Sequence, residues 1–463
     1  MNAAAPPLGT QSPGAPGSGP QSRGAQHPSP QSQAAQSEAA QTQPSPNDAD
    51  RCRTLSWPQA RQAARQAVRA PLPTLRVELA DALGHTLAVP LTALTDLPAF
   101  DTSAMDGWAV AGPGPWRLAG QVLAGRTPPP LADGWATGIA TGAQLPPGAT
   151  AVLRREHGTV EPSAAGGVPV GGSEDGPSAD RPGTLRELRP GALPPGQDVR
   201  PRGQECRREE ALLAAGTPVT AAVLGLAAAC GYDRLTVRRR PTVELLVLGD
   251  ELLDSGLPGP GRVRDALGPL LVPWLRAAGT ELLGRRAVRD DFGLLRDAVR
   301  RSPAELVVTT GGTAAGPVDF LHAALAEAGA RLLVDGVAVR PGHPMLLAEL
   351  PPLTPGAGPR LLVGLPGNPL AAVAGAVTLA LPVLHALAGR PSGAGRYLPA
   401  AVELPGHPSD TRLLPVRQTG HGIRPLAFDG PAMLRGLALA EAIAVVPPGG
   451  LRPGQPAELL DVP

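Results

Sequence analysis

Five carboxylates stand where apolar runs of this chain end: Asp250 and Glu251, Asp290 and Asp291, and Asp319. Acids gathered beside glycine-rich turns suit one kind of chemistry, a magnesium ion bridging phosphate groups. Mg²⁺ prefers a few carboxylates, water and substrate phosphate to a cage made wholly of protein. The phosphate side of such a site is offered by residues 305–320, ELVVTTGGTAAGPVDF. Its apolar start, with β-branched Val307 and Val308, fits a buried parallel strand. Gly311 and Gly312 then let the backbone turn sharply and lie close to a ligand. Phe320, Leu321, Ala324 and Leu325 recur at helical spacing, so a helix is expected over 317–329 with Gly329 as its stop. Strand, glycine loop and helix together aim backbone N–H groups and a helix dipole at a phosphate, with Asp319 in the first helical turn. A glycine pair after a strand also serves turn geometry alone. Asp250 and Asp290 could cap helices while Glu251 and Asp291 are solvated, so it is the cluster as a whole that points to chemistry.

Two further stretches offer chemistry, the first of them at the same edge. GLPGNP, 364–369, is a second strand–loop–helix joint in which Asn368 is a good N-cap and Pro369 a good first helical residue. RPGHP, 340–344, sets the guanidinium of Arg340 and the imidazole of His343 between prolines, which is an anion site or a plain surface charge.

These residues need a frame. From 243 to 390 strand-like and helix-like runs alternate, which predicts a doubly wound α/β domain with ligands beyond the carboxyl ends of its strands. Within it, helices are expected at 263–278 and 292–301, and RLLVDGVAV, 331–339, as a strand. The run 369–389 is long and apolar enough to raise the membrane question. It is alanine-rich, contains Pro382 and His385 and follows a turn directly, so it reads as a buried helix, with no membrane involved. Upstream, Ser56 opens a capping box with Gln59, Pro58 in the first turn and a helix to about Arg69. From 113 to 196 short apolar runs alternate with Pro/Gly turns, a β-rich pattern interrupted by a long loop at 161–183. After Arg390 short β runs return and suggest a small β-barrel or sandwich. Residues 1 to about 50 are Ala, Pro, Gln, Ser and Gly without periodicity, a disordered tail.

Composition narrows the function classes. Net charge is +1 and aromatic residues are 2% of 463, which leaves neither a basic field nor stacking platforms for nucleic acid. All 41 basic residues are arginine, so any role that needs a lysine must be filled otherwise. Cys52, Cys206 and Cys230 form no CxxC pair, and no apolar core of a signal peptide opens the chain. Both suit a reducing, cytoplasmic setting.

FDTSAMDGWAV, TGAQLPPG, GDELL, TTGGTAAGPVDF, RPGHP and GLPGNP occur in the order and spacing of the molybdopterin molybdenumtransferases, and the chain from about residue 54 onward resembles that family. The resemblance implies a molybdopterin-binding doubly wound α/β domain at 241–392 and an elongated linker domain at 54–112 and 198–240. It also implies a β-rich inserted domain at 113–197 and a C-terminal β-barrel at 393–463, after a tail at 1–53. It implies a transferase acting on adenylated molybdopterin and molybdate with release of AMP, assisted by Mg²⁺. A homodimer is implied, whose site is completed by the SAMDG segment of the other subunit, with contacts to other molybdenum cofactor biosynthesis proteins. Carried over by position, Asp106 matches the SAMDG acid and Thr141 the threonine of the TGA loop. Asp250 and Glu251 match the GDE acids, Asp265 the acid of the next motif, and Asp290 and Asp291 the paired acids after the following strand. Gly311, Gly312, Gly316 and Asp319 match the glycine-loop element, and Pro366, Gly367 and Asn368 the second loop. Asp106, Asp250, Glu251 and Asp319 are thereby expected to be catalytic. Thr141, the glycines, Arg340, His343 and the second loop are expected to bind substrate, and Asp250, Glu251, Asp290, Asp291 and Asp319 to hold the metal.

Several positions depart from the family pattern. Gln204 and Glu205 stand for Glu-Asp, Ala266 and Leu267 for a Ser/Thr-Asn pair, Ala314 for a serine, and Pro317 for an acid. Arg340 and His343 replace two lysines and Ala371 a serine, so weaker molybdate binding that improves at lower pH is expected. Two other readings stand beside the insertase: a diverged, non-catalytic pterin-binding or scaffold paralogue, and a molybdopterin adenylyltransferase. The SAMDG region and the closing β-domain speak against the latter.

Overall fold

Thr242–Leu248 is apolar on both faces, as a strand covered from two sides must be. Val243, Leu245 and Val247 join the core on one side of the sheet, Leu246 and Leu248 the core on the other. The sheet built around it has six strands, in spatial order Glu281–Val288, Thr242–Leu248, Leu306–Thr310, Arg360–Leu365, Leu346–Leu350 and Arg331–Asp335. The first four run parallel, and Leu346–Leu350 runs antiparallel to both neighbours. The computed structural model describes residues 54–162, 183–191, 193–313, 320–354, 358, 360–393 and 395–463. The expected tail, Cys52, most of the 161–183 loop, and Ala314, Gly316, Pro317 and Asp319 lie outside the described residues.

From the strand at 242–248 the chain crosses to its neighbour at 281–288, then returns past it to the strand at 306–310. The strand order therefore reverses between 242–248 and 306–310, where an open α/β sheet leaves a crevice. The helix at Phe292–Arg301 has the expected bounds. The preceding helix is Leu267–Ala277, four residues shorter at its start than the sequence suggests. Val263–Arg264 instead pairs in parallel with Leu252–Leu253, and Asp265 then accepts hydrogen bonds from the N–H groups of Leu267 and Gly268. The helix after the glycine loop is Leu321–Glu327, not 317–329: Phe320 is its N-cap, so Asp319 precedes the helix rather than standing in its first turn, and Gly329 follows at φ +70°.

The apolar run 369–387 packs in the core. It is α-helical over Pro369–Gly375 and Leu381–Leu387, with one π-helical turn at Ala376–Ala380 between them. Pro382 lacks an N–H and its ring collides with the preceding turn, and widening that turn relieves both problems. Leu370, Val373, Val377, Leu379, Val383, Leu384 and Leu387 are buried there, each contributing about 1.5–3 kcal/mol. Against this helix lies Trp57–Gln66, which opens with the expected capping box and ends at Gln66 rather than Arg69. The Trp57 indole N–H donates to Thr378 Oγ1 at 3.0 Å.

The β-rich sheet has the order Gly158–Pro162, Gly183–Glu187, Trp116–Val122, Trp135–Ile139, Gly107–Val110 and Ala151–Arg154. It reaches back to Gly107, upstream of the point at which the sequence pattern turns β-rich, because Gly107–Val110 pairs on both sides. Short strand pairs join the two flanking stretches, Thr102–Ser103 with Val199–Arg200 and Thr74–Glu78 with Arg234–Arg238. At the C-terminus, Thr411–Thr419, Ala442–Val446, Pro456–Leu460 and Arg396–Pro399 pair in turn. Gly422–Pro425 lies on the far part of 411–419, and Ile423 bridges back to Ala400, so the strands close into a small barrel.

RLLVDGVAV is two strands rather than one. Arg331–Asp335 stays in the α/β sheet, and Val337–Arg340 joins the barrel edge, pairing with residues 411–412 and with Leu55–Ser56. Gly336, at φ +82°, makes the change of sheet.

Candidate functional site

The crevice at the strand reversal is a cleft of 670 Å³. Its floor is the end of Thr242–Leu248 with Gly249 and the end of Leu306–Thr310 with Gly311 and Gly312. Gly311 and Gly312 lie at φ +87° and +68°. Both are conformations that a side chain resists, so the glycine pair is needed for the turn whatever else it does. The second loop brings Gly367, Asn368 and Pro369 to the same cleft, and Ala432 and Leu434 reach in from the C-terminal part. Pro366 is buried in the joint just before them. The first N–H groups of the helix after this loop are not free for a ligand. Leu370 donates to the carbonyl of Pro431 at 2.9 Å, and Ala371, itself buried, at 3.3 Å.

The acids meet on one wall, each differently engaged. Glu251, Asp265, Asp290 and Asp291 line the cleft. Asp290 accepts the backbone N–H of Asp250 at 3.1 Å, and the Asp250 carboxylate faces Arg289 Nε at 3.4 Å. Asp291 is the N-cap of Phe292–Arg301, accepting from the N–H of Leu294 at 2.8 Å. The capping role the sequence suggested for Asp250 and Asp290 therefore falls to Asp291 and Asp265. Asp265 is buried, and besides two helix N–H groups it holds Arg285 Nη2 at 2.5 Å. Arg285 also reaches Asp254 at 2.6 Å, and that bond holds the Asp254 carboxyl below the usual carboxylate range. Arg285 was invisible to sequence reasoning, because nothing in ELLGRRAV distinguishes it from its neighbour Arg286. Among the described residues no three His, Cys, Asp or Glu side chains gather tightly enough to hold a metal ion by themselves.

Arg340 and His343 do not contribute to this cleft in one chain. Arg340 Nε donates to Asp410 at 2.8 Å, and His343 Nδ1 faces the carbonyl of Val337 at 2.7 Å. Burial alone would raise the Asp410 carboxyl. The bonds from Arg340 and Ser409 outweigh it, and the carboxyl sits below its ordinary value. Within one chain Arg340 thus pairs with the barrel residue Asp410 through Nε, and its side chain stays half exposed.

Asp106 and Thr141 form a separate centre. Strands Thr102–Ser103 and Gly107–Val110 flank the Ala104–Asp106 turn, and Ser103 Oγ donates to the Met105 carbonyl at 2.5 Å. Gly107 must follow: a Cβ there would lie 2.0 Å from the carbonyl oxygen of Leu153. Asp106 Oδ1 accepts the Thr141 N–H at 2.7 Å and its Oγ1–H at 3.0 Å. The backbone bond first, then the hydroxyl, holds this exposed carboxyl below its ordinary value. Neither residue lines the cleft, so within one chain the two centres are apart.

Comparison with known proteins accounts for nearly all the described chain. Residues 55–231 match the MoeA N-terminal region (domain I and II), 244–386 a probable molybdopterin binding domain, and 397–462 the MoeA C-terminal region (domain IV). A molybdopterin molybdenumtransferase of Synechococcus elongatus is 32% identical over 339 residues, 69% of this chain and 77% of that protein. One from Bacillus subtilis is 30% identical over 325 residues, 67% and 69% of the two chains. A molybdopterin biosynthesis moeA protein from Pyrococcus horikoshii has the same fold, with a TM-score of 0.65 at 19% identity over 88% of this chain and 99% of that one. The chain belongs to the molybdopterin molybdenumtransferase family.

Proposed function

We propose that this protein inserts molybdenum from molybdate into adenylated molybdopterin and releases AMP. The observation that carries the reading is the cleft itself: two glycine-bearing loops face a wall of carboxylates at the strand reversal of an α/β sheet. Gly311, Gly312 and Gly367 let backbone come close to the substrate's phosphoanhydride, and Phe320 and Leu434 add apolar surface to the cleft lining.

The acid wall fits a magnesium ion held jointly by protein and substrate. Asp265 is taken by Arg285, and Asp291 spends one oxygen as a helix cap. Glu251 and Asp290, with Asp250 beside them, would hold the ion, together with Asp319, which lies outside the described residues. That is the sparse donor set Mg²⁺ takes when phosphates and water complete its shell. The ion, when bound, draws negative charge from the phosphoanhydride oxygens.

Asp106 and Thr141 complete the site from a second copy of the chain, which is how two centres that are apart in one chain serve one reaction. Thr141 keeps Asp106 ionised and fixed, ready to accept hydrogen bonds from the bound pterin. The test is AMP release from adenylated molybdopterin, followed by chromatography with and without molybdate. Molybdate-dependent AMP is expected, and its absence at any molybdate concentration sinks the reading. Mixing Asp106→Ala chains with Glu251→Ala chains should restore part of the activity through one intact hybrid site. A stable monomer at micromolar concentration by ultracentrifugation would exclude the shared site.

A further inference from the structure

Arg340, paired with Asp410, does not line this cleft, so within one chain the side-chain cations that can meet a phosphate there are others. Among the described residues that line it, only Arg264 and Arg289 carry a positive charge. We propose that these two arginines are the phosphate-recognising side chains of the cleft, gripping the phosphoanhydride of the substrate and the phosphate of the AMP product. The inference rests on the adenylated substrate proposed above.

Arg289 follows the strand at 281–288 directly and is 80% exposed. Its partner is Asp250, met by Nε alone at 3.4 Å, an ion pair of the exposed, poorly aligned kind that contributes little. Arg264 ends the short strand at 263–264 and spends one N–H on the carbonyl of Leu253 at 3.3 Å. Each guanidinium has five N–H donors in a planar fork, so both keep donors suited to bidentate contact with phosphate oxygens. Such a grip complements the acid wall: Arg285 offsets Asp265, Glu251 and Asp290 are the acids proposed for the magnesium ion, and phosphate oxygens that the ion does not engage are left for arginine donors. Arg264 and Arg289 stand among these acids at the mouth of the same cleft. Exchanging the long contact with Asp250 for a phosphate costs Arg289 little and gains a charge-assisted bond.

The test is calorimetric titration of the full chain with AMP and, in parallel, with adenosine. Arg264→Met and Arg289→Met should each weaken AMP binding roughly tenfold, and the double variant more, while adenosine binding stays as in the parent. Arg331→Met, an exposed arginine paired with Glu349 outside the cleft, serves as the control and should bind AMP normally. In turnover, the double variant should raise KM for adenylated molybdopterin more than it lowers kcat. AMP binding by the double variant equal to the parent's overturns the assignment, as does a parent that binds AMP no more tightly than adenosine. A parent that binds AMP through both arginines yet releases none with molybdate would sink the insertase reading and leave this assignment standing.

Discussion

Asp106 and Asp265 each accept two hydrogen bonds at one oxygen, from groups close together in sequence, yet they lie in regions built for different ends. Asp265 is buried: Leu267 and Gly268 donate to Oδ1, and Arg285 to Oδ2. Every lone pair it needs for stability is used, and it starts a helix. Asp106 is exposed, its two donors both come from Thr141 and meet Oδ1, which leaves Oδ2 to spare. The difference teaches how to sort carboxylates within one protein. An acid whose bonds all turn inward is part of the frame. An acid that is held rigid but still presents an edge is ready for something that is not part of the chain.

Four measurements break or sharpen this comparison. Asp106→Ala should lower molybdate-dependent AMP release at limiting substrate by roughly 10- to 100-fold, the loss of a charge-assisted hydrogen bond, with stability changed by less than about 0.5 kcal/mol. A large stability loss there would place Asp106 in the frame. Asp265→Ala should do the reverse first, costing about 3 kcal/mol in urea denaturation, because a helix cap goes and Arg285 loses its buried partner. A loss below about 0.5 kcal/mol, the size of a surface change, would remove the basis of the distinction.

His385 extends the comparison to a group kept neutral. Burial, then the nearby charges of Arg390, Arg65 and Arg61, bring its pKa down to about 4. The unfolded chain takes up a proton near pH 6.5 that the folded chain refuses, so stability falls as pH drops from about 6.5 toward 4. Between about pH 7 and 4.5 that contribution is roughly 2 kcal/mol, and His385→Leu should flatten the profile by that much. An unchanged profile would show that other groups set it. The smallest effect is expected from Thr141→Val, which keeps the backbone donor and deletes the hydroxyl. The Asp106 carboxyl, followed by ¹³C NMR through an acid titration, should titrate at a higher pH than in the parent while staying below an ordinary aspartate.

Much of the frame was legible because it is local. The capping box at Ser56, the helix at Phe292–Arg301 and the strand–glycine joint at 306–312 follow from neighbours in sequence. What was not legible is what depends on distant partners. RPGHP reads as a free pair of cations, and nothing local shows that Asp410, seventy residues later, pairs with Arg340 through Nε. The helix expected from residue 263 begins at Leu267 because Val263–Arg264 has a strand to pair with and Asp265 an arginine to hold. One apolar run, RLLVDGVAV, gives no sign that its halves belong to different sheets. Of the expected acids, Glu251, Asp290 and Asp291 line the cleft, and that Asp291 is engaged as a helix cap needed the structure.

That change of sheet at Gly336 also sets a clock. Leu55–Ser56 pairs with Val337 and Ala338, and Trp57 donates to Thr378. During synthesis, the partner strand follows roughly 280 residues later, about 14 s to a minute at 5–20 residues per second. Throughout that interval the helix at Trp57–Gln66 has been made but has no core to join, with its buried face (Trp57, Ala60 and Ala64) open to water and to chaperones. The first described helix therefore waits for strand partners made in the last third of the chain, and the chain closes on its own beginning before its C-terminal barrel is complete.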